Sequence, residues 1–187
     1  DATGAIAERT WEEVRQARVG TTGDGVPRLD DLLGTWPDVK VNIDPKDDRV
    51  VDPLAEVLRD HGAVGRVCCG SFSDSRLARL RDLLGPDLCT SLGPRATAKL
   101  AAAALGAPIR SLPAPCAQVP THIGPKRLVT RRFVRAAHDL GLQVHVWTID
   151  DADEMHRLLD LGVDGIVTDR IDTLRDVLAE RGHPLRP

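Results

Sequence analysis

Residues 142–150 read Leu142-Gln143-Val144-His145-Val146-Trp147-Thr148-Ile149-Asp150, and residues 161–169 read Leu161-Gly162-Val163-Asp164-Gly165-Ile166-Val167-Thr168-Asp169. Both runs are rich in β-branched residues, which predicts strands over 142–149 and 165–168. Between them, Ala152, Met155, Leu158, Leu159 and Leu161 recur at helical spacing and predict a helix over 152–161. Two strands joined through a helix form a unit of a parallel sheet, and the same alternation continues toward the N-terminus. Further strands are expected at 39–44, 64–69, 88–92 and 117–120, with helices at 53–59, 75–84, 96–105 and 129–140 and a last one at 173–180. The repeated pattern argues for a parallel sheet covered by helices.

Several boundaries have a local cause. Ser73 can cap the free amides of the helix after it, and Gly85-Pro86 stops that helix. Thr10-Trp11-Glu12-Glu13 fits a capping box, so a short helix is expected from Trp11. Residues 20–25 read as a loop, and Leu29, Leu32 and Leu33 suggest another short helix. Residues 108–120, rich in proline, read as a long connection holding one short strand.

Six strand–helix units fit a doubly wound sheet, but the G-x-G-x-x-G turn of dinucleotide folds is missing. A closed (β/α)8 barrel needs eight units and about 250 residues. The expectation is therefore an α/β fold: a TIM barrel with about six of its eight units in this chain. Residues 1–187 would form a single, incomplete domain that lacks the first two strands.

Composition agrees with such a fold. The chain is 42% hydrophobic and 28% charged, with 3% aromatics and no Tyr, so its core must be built from Leu, Val, Ile and Ala. A net charge of −3 without a basic cluster speaks against a nucleic-acid partner. No apolar run approaches the roughly 20 residues of a membrane span. Cys68, Cys69, Cys89 and Cys116 include no C-x-x-C pair, and adjacent Cys68 and Cys69 would point to opposite faces of a strand. All four are expected to be buried, reduced thiols, which favours the cytoplasm.

The segment carrying chemistry is Val41-Asn42-Ile43-Asp44-Pro45-Lys46. On a strand Asn42, Asp44 and Lys46 share one side, and they sit at the C-terminal end, the catalytic face of a barrel. Asp suits a hard divalent cation and Lys a phosphate. The spacing leaves a second reading open, in which Asp44 and Lys46 belong to a solvated loop with Asp47 and Asp48.

This segment lies between Val26-Pro27-Arg28-Leu29-Asp30-Asp31-Leu32-Leu33 and Val67-Cys68-Cys69-Gly70-Ser71-Phe72. With the 144–150 and 161–169 runs, it resembles, in order and spacing, the glycerophosphodiester phosphodiesterase family of phospholipase-C-like TIM barrels. The resemblance covers about residues 26–178. It implies metal-dependent hydrolysis of a small-molecule glycerophosphodiester to glycerol 3-phosphate and an alcohol, within lipid and glycerol metabolism. It also implies that Asp44, where the family usually has Glu, ligates Mg²⁺ or Ca²⁺ and that catalytic Lys46 contacts the phosphate. Trp147 and Phe72 would line the substrate pocket or cover the barrel end as core, and Asn42 and Asp169 would orient their neighbours. His145 and His122 are weaker candidates for the barrel interior and the substrate mouth.

The family's H-R-G strand, its E-x-D strand and its H-D pair do not occur in these residues. Asp1-Ala2-Thr3-Gly4 resembles the family's residues just after the H-D pair, so the chain as it stands is expected to be inactive. A second reading is a degenerate member that binds a phosphorylated ligand or a protein partner. A third, an unrelated phosphate-binding barrel, fits the ordered motifs less well. The oligomeric state is not legible in the sequence.

Overall fold

The computed structural model describes residues 3–20 and 23–183. In chain order the elements are α1 (Trp11–Val14), β1 (Arg18–Val19), β2 (Asp24–Gly25), α2 (Leu29–Thr35), β3 (Val41–Ile43), α3 (Val51–Asp60), β4 (Val67–Cys69), α4 (Asp74–Leu84), β5 (Cys89–Thr90) and α5 (Pro94–Ala103). Then come β6 (Cys116–Pro120), β7 (His122–Ile123), β8 (Lys126–Arg127), α6 (Arg131–Asp139), β9 (Gln143–Trp147), α7 (Ala152–Leu161), β10 (Gly165–Ile166) and α8 (Ile171–Glu180).

Two parallel ladders, β3-β4-β5 and β6-β9-β10, form the sheet. A parallel bridge between Ser91 and Cys116 joins them, and the Leu92 N–H donates to the Cys116 carbonyl at 2.8 Å. The order β3-β4-β5-β6-β9-β10 is that of the sequence, each of these strands leading into a helix, as in an arc of a (β/α)8 barrel. The expected six units are present.

The local causes read from the sequence operate at the element ends. The Thr10 side chain accepts from the Glu13 N–H while Glu13 reaches back to the Thr10 N–H, a complete capping box. Ser73 accepts from the Arg76 N–H at the start of α4, and Gly85, at φ 79°, ends that helix. Asp164, in the Gly-Val-Asp-Gly run, accepts the Val144 N–H at 2.7 Å and fixes the entry to β9.

Three expectations change. Residues 64–66 form a 3-10 turn instead of the start of β4. The Arg66 guanidinium donates to the Val39 and Leu33 carbonyls at 2.7 and 2.9 Å, drawing that turn onto the end of α2. Within the loop expected at 20–25, Asp24–Gly25 pairs antiparallel with Arg18–Val19, and residues 21–22 lie outside the described residues. The loop after β6 carries the β7–β8 hairpin, turned through Gly124 at φ 56°.

Apolar burial divides along the same line as the sheet. One cluster joins Leu33, Leu54, Leu58, Val67, Cys69 and Leu80 beneath the first ladder. The other joins Leu100, Val119, Phe133, Val144, Met155 and Leu158 beneath the second.

Candidate active site

The two ladders meet around a cavity of about 580 Å³ at the C-terminal ends of the strands. Its first wall is polar and includes Asn42, Asp44, Lys46 and Ser71. The pleat of β3 produces this arrangement: Asn42, Asp44 and Lys46 are exposed, alternating with the partly buried Val41 and Ile43 and the buried Pro45. The second wall is mostly apolar and includes Leu92, Val119, Leu128, Trp147 and Val167.

Lys46 forms an ion pair with Asp44. The Lys46 side chain remains 76% exposed and Asp44 37%, so the ammonium can still reach a ligand in the cavity. The loop that carries Lys46 is held by Arg76, whose side chain is only 13% exposed. Arg76 donates to the Pro45 carbonyl at 2.6 Å, to Ser71 Oγ at 3.1 Å and to Asp48 at 2.8 Å. Arg49 holds the Asp47 carboxyl well below the usual carboxylate range through side-chain hydrogen bonds, which keeps the same turn charged.

Gln118 crosses from the second ladder to the first. Its Nε2 donates to Asn42 Oδ1 at 3.0 Å and lies 3.7 Å from Cys68 Sγ. Gly70 leaves the room for this: a Cβ there would stand 2.8 Å from Gln118 Oε1 and 3.4 Å from Ser91 Oγ. Phe72 and Trp147 meet edge to face, with centroids 5.9 Å apart and planes at 86°. Phe72 is 70% exposed, so it is a cavity residue and not core.

The structure thus brings Asn42, Asp44, Lys46, Phe72 and Trp147 to one cavity. It does not bring Asp169 with them. The orienting acceptor at that end is Asp150, which receives the Thr168 hydroxyl at 2.8 Å and the Asp169 main-chain N–H at 2.9 Å. His145 lies in phase with Trp147, and its Nε2 is 3.2 Å from Gln143 Oε1. Burial lowers the His145 pKa. His122 is exposed on β7, its Nδ1 2.9 Å from Thr121 Oγ1.

Gln118, Arg76, Ser71 and Gly70 are the residues that the sequence reading did not select. Gln118 carried a usable signal, being a polar residue between Ala117 and Val119 on a buried strand, the same alternation that exposed Asn42. Arg76 carried none, because its partners are 5 to 31 positions away.

Asp44 is of the right kind for a hard divalent ion, but no other carboxylate of the described residues lines this cavity. Such ions take six or more oxygens, so these residues do not complete a site alone. The cysteines depart from expectation more sharply. All four are free thiols, but Cys68 and Cys89 are only partly buried. Their pKa values are raised, Cys68 through its hydrogen bond with Cys116 and then burial, and Cys89 to about 11 chiefly by burial.

No helix among the described residues is long and apolar enough to cross a membrane. The family model described as the glycerophosphoryl diester phosphodiesterase family matches residues 1–173. The chain is 42% identical over 188 aligned residues to probable glycerophosphodiester phosphodiesterase 2 of Mycobacterium tuberculosis, covering 97% of this chain and 70% of that protein. In fold it is similar to the glycerophosphoryl diester phosphodiesterase domain of another M. tuberculosis protein, with a TM-score of 0.75 and 17% identity over 96% of this chain and 78% of that one. It is similar also to an Oleispira antarctica phosphodiesterase solved with its product sn-glycerol-3-phosphate, with a TM-score of 0.73 and 15% identity over 94% and 73% of the two chains. With the six-strand arc and the ordered motifs, these findings show that the chain belongs to the glycerophosphoryl diester phosphodiesterase family.

Proposed function

We propose that the cavity is the site of glycerophosphodiester hydrolysis to glycerol 3-phosphate and an alcohol, with Lys46 at the phosphate. The observation that carries this reading is the run Asn42, Asp44, Lys46 lining the same cavity as the Phe72–Trp147 pair. A phosphodiester has an anionic centre between two organic arms. Lys46 offers a point charge to the first, and it strengthens as charge grows on the phosphoryl oxygens. The aromatic pair and the apolar wall offer packing surface to an arm. Gln118 holds Asn42, and Arg76 holds the Lys46 loop, so the polar wall is organised before substrate arrives.

Asp44 is the residue of this chain that would ligate Mg²⁺ or Ca²⁺, whose chemistry would be to offset charge on a non-bridging oxygen. A role in lipid and glycerol metabolism accords with the substrate class, and four free thiols suit a reducing cytoplasm.

The test is glycerol 3-phosphate release from a glycerophosphodiester with either ion, by an intact form in which these residues are joined by the H-R-G, E-x-D and H-D segments. Lys46→Ala should lower turnover about 100-fold, the scale of one lost charge-stabilising donor, with the melting temperature unchanged. A wild-type rate would sink the assignment. The Asp44–Lys46 ion pair also favours a second reading, phosphate-ligand binding without turnover. Glycerol 3-phosphate bound but never released from a diester would establish that one instead.

A further inference from the structure

The sheet brings three cysteines from distant parts of the sequence together on the face turned away from the helices. Cys68 on β4 pairs with Cys89 on β5, and Ser91, two residues on from Cys89, bridges to Cys116 on β6. Their sulfurs lie within 4.8 Å of one another, and those of Cys68 and Cys116 are 3.8 Å apart. Cys69, one position on from Cys68, lies instead in the apolar core beneath the first ladder.

We propose that Cys68, Cys89 and Cys116 form a thiolate site for a soft, closed-shell metal ion of the Zn²⁺, Cd²⁺ or Cu⁺ class, separate from the hard-ion position at Asp44. Sulfur donors select such ions over Mg²⁺ and Ca²⁺. At a zinc–sulfur distance of about 2.3 Å, two tetrahedral ligands stand roughly 3.8 Å apart, which this cluster meets with little movement. Binding of a divalent ion converts three thiols to three thiolates and releases three protons, leaving one net negative charge on the centre. The Gln118 amide, 3.7 Å from Cys68 Sγ, is placed to donate to that charge. A fourth position remains for water or an added donor. Asn42 is level with Cys68 in the β3–β4 register, so Asp44 lies about 7 Å further along the strand, at roughly 3.3 Å per residue.

A disulfide is the competing use of these sulfurs. Between Cys68 and Cys116 it is ruled out by topology, because β5 lies between their strands. Two strand spacings put the Cα atoms about 9–10 Å apart, beyond the reach of about 7 Å for a disulfide. Cys68 and Cys89, on adjacent strands, are close enough to compete.

The experiment is a Cd²⁺ titration of the reduced, metal-stripped protein without oxygen, in excess Mg²⁺ so that hard sites are filled. The expected result is thiolate-to-metal charge-transfer absorbance that saturates at one equivalent, with the intensity of three sulfurs and stoichiometric proton release. Zn²⁺ should abolish the signal by displacement. Cys68→Ser and Cys89→Ser should each lower the intensity by a third and weaken binding at least tenfold, while Cys69→Ser changes neither. If a serine variant fails to fold, the wild-type intensity per ion still decides the number of sulfurs. No charge-transfer signal, equal loss in Cys69→Ser, or a Cys68–Cys89 disulfide in air with no metal uptake by reduced protein would each overturn the proposal.

Discussion

The two ladders of this sheet are built alike but contribute opposite chemistry. The first, β3-β4-β5, presents Asn42, Asp44, Lys46 and Ser71 to the cavity; the second, β6-β9-β10, presents Trp147 with the flanking Leu128 and Val167. Each has its own apolar cluster on the helical side. Between them run the Ser91–Cys116 bridge, the Gln118–Asn42 hydrogen bond and the thiol cluster. The difference shows how a parallel α/β arc divides its labour. Helix-facing positions are interchangeable apolar packing, while positions on the other face can be specialised ladder by ladder.

The largest effects should come from breaking one core and asking whether the other notices. Phe133 is 1% exposed in the second cluster and Leu58 0% in the first. Phe133→Ala should cost about 3–5 kcal/mol and Leu58→Ala about 2–5 kcal/mol. If the clusters are as separate as their packing, hydrogen exchange in Leu58→Ala will rise in β3, β4 and α3 while β6 and β9 stay protected. Uniform loss of protection would show one cooperative core instead.

The seam is tested next. Gly70→Ala places a methyl 2.8 Å from Gln118 Oε1 and should cost about 1–3 kcal/mol as the amide is displaced. In a Gln118→Ala background the same change should cost clearly less in a double-mutant cycle. Equal costs would mean that Gln118 is not the group that Gly70 accommodates.

The two walls should also separate kinetically. Trp147→Ala is expected to raise KM about tenfold, the loss of about 1.4 kcal/mol of uniform binding, with kcat within a few-fold. That contrasts with the kcat loss predicted for Lys46→Ala. A kcat loss with unchanged KM for Trp147→Ala would erase the distinction.

The smallest effect concerns pH and the second ladder alone. Burial lowers the His145 pKa from its ordinary 6.5, partly opposed by Asp164. The folded state therefore takes up fewer protons than the unfolded one. The contribution of His145 is fully present above pH 6.5 and is lost as pH falls from there through the lowered folded value. His145→Gln should flatten the stability–pH curve in that window, measured by denaturant midpoints; an unchanged slope would show that other groups set it.

Much of the fold is legible in the sequence because its causes are local. The β-branched runs at 142–149 and 39–44, the Thr10 capping box and the Ser73 cap each act within a few residues, and the observed elements match them to within a few positions. The start of β4 is not legible, because Arg66 holds 64–66 as a turn by reaching carbonyls 27 and 33 positions away. The site divides in the same way. Period-2 alternation along one strand suffices to put Asn42, Asp44 and Lys46 on one side.

By itself, then, the sequence determined the six strand–helix units, the family and the polar face of β3, since periodicity, caps and motif order are properties of neighbouring residues. Only the tertiary structure decided that Phe72 meets Trp147, that Asp150 and not Asp169 accepts the hydrogen bonds closing β10, that Gln118 spans the seam through the space at Gly70, and that three cysteines converge. Those outcomes depend on the register between strands. That register is set by packing across the whole sheet, and no stretch of sequence encodes it alone.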